Sequence, residues 1–161
     1  MGVATGLCAL LAGCAGGEPF TSRVPLGPLL AKLAASGGDE GRIIHARTAG
    51  DLAALASGQR YKFVLLADGS LAIAPLPADA TNNEYVHPVL AHGAAVRTAG
   101  GITVERAGDA IARVTIDQDS KAYCPSRASL DAARAALGRM GLAAEQVVEV
   151  DRPPACVPPG K

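Results

Sequence analysis

The chain of 161 residues has no tryptophan, three tyrosines and two phenylalanines, so the aromatic platforms on which single-stranded nucleic acid stacks are scarce. It also lacks a surplus of either charge. Fifteen basic side chains balance fifteen acidic ones, which removes the positive field that drives non-specific nucleic-acid binding. No nucleic-acid partner is expected. Phosphate-cradling loops of the GxGxxG or GxxxxGKS type are absent, as is GxSxG. Gly100-Gly101 is bounded by two strand-like runs and does not open a helix, so it does not read as a phosphate loop. No CxxC occurs, and His45, His87 and His92 do not share a helix face at ligand spacing. Asp117 and Asp119 flank a turn without the further oxygen ligands that calcium needs. Neither a metal nor a cofactor is expected. What the sequence does have is 49% hydrophobic and 19% charged residues, the balance of one globular core.

Residues 1–13 carry no charge and are apolar or small, and they lead into Leu11-Ala12-Gly13-Cys14. Such a stretch is shorter than the roughly 20 residues a membrane-spanning helix needs, and it suits the apolar region of a signal peptide. The tetrapeptide resembles the lipobox of bacterial lipoproteins in all four positions, although Met1-Gly2 supplies no basic residue ahead of the apolar run. That resemblance implies cleavage before Cys14, acylation of Cys14, and a mature chain held at a membrane by its acyl chains. Residues 14–24 then read as the lipidated cysteine and a tether, and 25–157 as a single domain. Ala15 stands where Asp would mark inner-membrane retention, so the resemblance favours the outer membrane, on the periplasmic or surface side of the cell envelope.

With Cys8 lost in the signal and Cys14 acylated, Cys124 and Cys156 remain. An even pair in an exported protein is most simply a disulfide. Closing this loop would contribute roughly 3.5 kcal/mol in the chain-entropy model. The alternatives are two free thiols or one reactive cysteine.

The pattern from residue 25 onward predicts an α+β domain: N-terminal helices, an antiparallel β-meander of four to five strands, one C-terminal helix and a short edge strand. Leu26, Leu29, Leu30 and Leu33 make one helical stripe, and Thr48-x-x-Asp51 is a capping signal for a second helix over 48–57. Strands at 61–66 and 71–76 flank Asp68-Gly69, a hairpin turn signal. The stretch 77–83 reads as a polar loop. Strands at 94–98 and 102–105 are expected to break at Gly100-Gly101, and 111–116 closes a second hairpin. Ser126 or Ser129 opens a helix with the stripe Leu130, Ala133, Leu137 and Met140, ended by Gly141. A strand at 146–150 and a proline-rich tail complete the chain.

His87, Leu90, Gly93, Ala99-Gly100, Gly108, Ser120, Tyr123 and Pro125 follow one another in an order similar to a small domain of bacterial polymorphic toxins and of plant calmodulin-binding proteins with an IQ motif. The resemblance spans 61–150. It implies a pocket of His87, Ser120 and Tyr123, yet Lys121-Ala122 stands where that pattern has Gly-His. The group best suited to acid–base chemistry near neutral pH is therefore replaced by Ala122. The leading expectation is a lipid-anchored, non-enzymatic binding or structural domain that meets an unidentified protein partner. The alternative is a toxin-like effector, a nuclease or transferase, displayed at the cell surface.

Overall fold

A computed structural model describes residues 17–35, 43–75 and 86–159. The expected signal segment, Cys14 and the loop at 77–83 lie outside the described residues. Helix α1 (Leu26–Ala35) precedes strand β1 (Ile44–Ala46), helix α2 (Ala49–Ala53), strands β2 (Arg60–Leu65) and β3 (Leu71–Pro75), and helix α3 (Val86–Leu90). Strands β4 (Thr98–Ala107) and β5 (Ala110–Ile116) follow, then helix α4 (Leu130–Arg139) and strand β6 (Val147–Glu149). The fold is α+β, and no helix among the described residues is long and apolar enough to cross a membrane.

The strands do not form the expected meander. They make one mixed six-stranded sheet in the order β1-β3-β2-β4-β5-β6. β4 pairs with β2, not with its predecessor β3, whose other edge is taken by β1. The connection explains the difference. Helix α3 packs on β2 and β3, so the chain crosses the face of the first hairpin and reaches the free edge of β2. β6 pairs in parallel with β5, and a parallel neighbour requires a crossover, which α4 supplies.

Alternation along β2 divides the interior into two cores. Tyr61, Phe63 and Leu65 face one side, where Leu52 and Leu55 join Leu130, Ala133, Ala136, Leu137 and Met140 of α4. Val64 faces the other side, with Ala72, Ala74 and Ala99 under Leu90, Ala91, Val96 and Tyr123. The second face is built from small residues, so α3 and its flanking loops can approach closely. Helix α1 packs outside α3, with Leu29 buried.

Pro88 is compatible with α3 because it lies in the first turn, where a backbone N–H has no intrahelical partner. Thr48 caps α2 as the sequence predicts: its side chain accepts from the Asp51 N–H, and Asp51 Oδ2 accepts from the Thr48 N–H at 2.8 Å. The Arg47 N–H, then the Thr48 N–H and hydroxyl, donate to the Asp51 carboxylate and hold it below the usual carboxylate range. α4 ends at Gly141, which has φ +103, and the Leu142 N–H closes back on the Leu137 carbonyl at 3.2 Å.

One further expectation needs correction. β4 runs unbroken through Gly100 and Gly101. The glycines serve close approach: a Cβ on Gly100 would overlap the Asp117 carbonyl, and one on Gly101 would strike the Arg60 guanidinium. Within the stretch read as a tether, Phe20 exchanges backbone hydrogen bonds with Val96 at 2.7 and 2.9 Å. Burial of the Phe20 ring against the second core provides the reason.

Thr48→Ala is expected to lower unfolding stability by about 1 kcal/mol, read by urea denaturation. Gly100→Ala, which forces the 117–118 backbone away from the sheet, should cost about 3 kcal/mol or more in the same assay.

Candidate functional site

The loop after β5 brings several polar side chains onto the second face of the sheet. Asp117 is the hub. Its Oδ1 accepts from the Gly101 N–H at 2.9 Å, the Asp119 N–H at 3.0 Å and Arg60 Nη2 at 3.1 Å. Its Oδ2 lies 2.8 Å from Arg60 Nη1. Arg60 and Lys62 both come from β2, on the face opposite Tyr61 and Phe63. The Lys62 ammonium donates to the Asp119 carbonyl at 3.4 Å and lies 3.8 Å from the Asp119 carboxylate. Only 9% of Lys62 is exposed, and burial lowers its pKa against the pull of Asp119.

His87 sits beside this network on α3, with 1% of its surface exposed. Its Nε2 lies 3.0 Å from the Gly100 carbonyl. A carbonyl only accepts, so Nε2 carries the proton and donates, and in the neutral ring Nδ1 presents a lone pair. Burial first, then the positive charge of Lys62, lowers the His87 pKa from its ordinary 6.5 to about 3. The ring is therefore neutral near pH 7.

Of the residues singled out by the sequence, His87, Ser120 and Tyr123 are all buried. They do not form one hydrogen-bonded set. The Tyr123 hydroxyl donates to the Ala94 carbonyl at 2.8 Å, and burial raises its pKa to about 12. Among the described residues, His87 Nδ1 and Ser120 Oγ have no hydrogen-bond partner. One ring nitrogen and one hydroxyl among the described residues thus retain unused bonding capacity in the buried interior. A neutral imidazole with so low a pKa is a weak base.

His45 and His92 are exposed, and among the described residues no group of three His, Cys, Asp or Glu side chains is placed to hold a metal ion. Asp117 and Asp119 do organise the turn, as the sequence suggests, but they also pair with Arg60 and Lys62. Sequence reasoning missed the two cations. Their signal is the alternation in Arg60-Tyr61-Lys62-Phe63-Val64, which sets a lysine on the same face as Val64, among residues covered by the second core.

Cys124 and Cys156 are joined, with Cα atoms 5.4 Å apart. The bridge ties the turn after Ser120 to the C-terminal tail.

Protonation of His87 is disfavoured in the folded state, so acid favours unfolding between pH 6.5 and about 3. Stability contributed by the neutral ring is fully present above pH 6.5 and falls by up to about 1.4 kcal/mol per unit below it. Urea midpoints should therefore drop from pH 6.5 to pH 5, and His87→Gln, which keeps a donor and cannot titrate there, should flatten that slope. Comparison of the chain with family models, with curated proteins and with solved structures gave no match in any of the three.

Proposed function

We propose that this chain is a lipid-anchored protein of the bacterial cell envelope whose α+β domain acts by binding or as a structural element, without chemistry of its own. The observation that carries the reading is the Cys124–Cys156 bridge, in a chain whose Leu11-Ala12-Gly13-Cys14 matches a lipobox. Disulfides persist in oxidising compartments outside the cytosol, which is where a lipobox would send the domain. Anchoring by Cys14 needs more than one acyl chain, since a single chain binds a bilayer only marginally.

The non-enzymatic part of the reading is supported by how the polar residues are used. Tyr123 spends its proton on a backbone carbonyl, His87 is committed at Nε2, and Lys62 is engaged with Asp119. Each group that resembles a catalytic residue is bonded into the fold or buried. A toxin-like effector is the second reading. One observation favours it, the unused capacity of His87 Nδ1 and Ser120 Oγ at positions matching the toxin-domain pattern.

Expressed in full length in a bacterial host, the protein should partition with membranes and carry a mass increment of two or three acyl chains. Cys14→Ser should leave it in the aqueous phase at unmodified mass, and identical partition and mass for both forms would overturn the anchor. For the second reading, RNA cleavage by the purified chain that disappears in His87→Ala is the outcome in its favour.

A further inference from the structure

We infer that the Cys124–Cys156 bridge is a redox latch, and that its reduction releases the turn whose Tyr123 shares the second core with Leu90 of α3, the helix that carries His87. The turn runs from Ser120 to Cys124 and closes with the Cys124 N–H donating to the Ser120 carbonyl at 2.8 Å. Its inner side is dry: Ser120, Ala122 and Tyr123 are buried. The loop leading into it lies against Gly100, whose carbonyl holds His87.

Two chain segments press on the turn from outside. The Val157 N–H donates to the Lys121 carbonyl at 3.1 Å, and the Arg23 N–H donates to the Ala122 carbonyl at 2.8 Å. Arg23 Nη1 also donates to the Val157 carbonyl at 3.1 Å, linking the two segments. The tail is otherwise held at its root, where Asp151 accepts from Gln118 Nε2 at 2.7 Å and lies 3.5 Å from Arg127, and Arg152 Nε lies 4.0 Å from the Asp117 carboxylate. From Asp151 to Pro159 only Pro154 and Val157 are even half-buried, and further back the Arg152 N–H donates to Gln118 Oε1 at 3.2 Å. A segment with few buried apolar contacts and exposed hydrogen bonds opens at low free energy once its covalent tie is cut.

Access favours the same reading. Cys156 is exposed, so a thiolate can reach its sulfur. Cys124 is held at φ +51, a left-handed conformation that a non-glycine residue keeps only under constraint from its surroundings. Attack by one thiolate of a dithiol on Cys156 Sγ forms a mixed disulfide and expels the Cys124 thiolate. The second thiol of the reductant then displaces Cys156. The dithiol leaves oxidised to its cyclic disulfide, and the protein retains two thiols, having gained two electrons and two protons.

This inference goes beyond the anchoring proposal and is tested apart from it, on purified full-length protein. Carbethoxylation of histidines by diethyl pyrocarbonate, followed by peptide mass spectrometry, reports His87 against the exposed His45 and His92 in the same molecule. The oxidised protein should protect His87. Dithiothreitol should speed its modification by about tenfold or more while leaving His45 and His92 unchanged. Cys156→Ser should show the same increase without reductant, and hydrogen exchange in β2 and β4 should stay slow. Unchanged His87 protection after complete reduction, verified by mass, would overturn the latch. Loss of β2 and β4 protection in Cys156→Ser would overturn it as well, since the bridge would then hold the whole fold together.

Discussion

The pairing of Asp117 with Arg60 is the constraint on which the second face of the sheet depends. β5 ends at Ile116, and the backbone must then cross the end of β4 where Gly100 and Gly101 leave room for it. The Asp117 carboxylate fixes that crossing. It takes the guanidinium on one side and two backbone N–H groups on the other, so a buried charge is both neutralised and hydrogen-bonded. Such a pair adds little to stability over an apolar substitute, but losing one partner leaves an uncompensated charge and costs about 3–5 kcal/mol. Its contribution is specificity of position. It sets where the backbone at 117–118 passes over Gly100, whose carbonyl is bonded to His87.

Much of the first core was legible in sequence. The stripe Leu130, Ala133, Leu137 and Met140 is buried as its spacing implies, and Gly141 ends the helix. Thr48 and Asp51 form the capping pair that their separation suggests. Both hairpins occur, joining β2 to β3 and β4 to β5. These features are local, decided within a few residues by periodicity and turn chemistry.

What escaped is long-range. Nothing near Ile44 announces that three residues will pair with β3, and nothing near Val147 fixes a parallel partner. Helix α3 was hidden by Pro88, whose place in a first turn is evident only when the turn is seen. The glycines of β4 read as a break because their function is to admit a backbone and a guanidinium that arrive from elsewhere in the chain. At the candidate site, His87, Ser120 and Tyr123 were legible as residues of interest, whereas the cations beside His87 were not. Lys62 looks like one polar residue in an apolar strand until pairing sets it on the covered face.

The contact of Arg23 with both Ala122 and Val157 has a geometric corollary. The incoming and outgoing ends of the folded body meet at one spot, so both depart from the same pole of the molecule. From Cys14 to Phe20 a fully stretched chain reaches no more than about 20 Å. An acylated Cys14 would hold that pole, with the sulfur bridge on it, within a short distance of the lipid headgroups, and α4 and the first core would point outward.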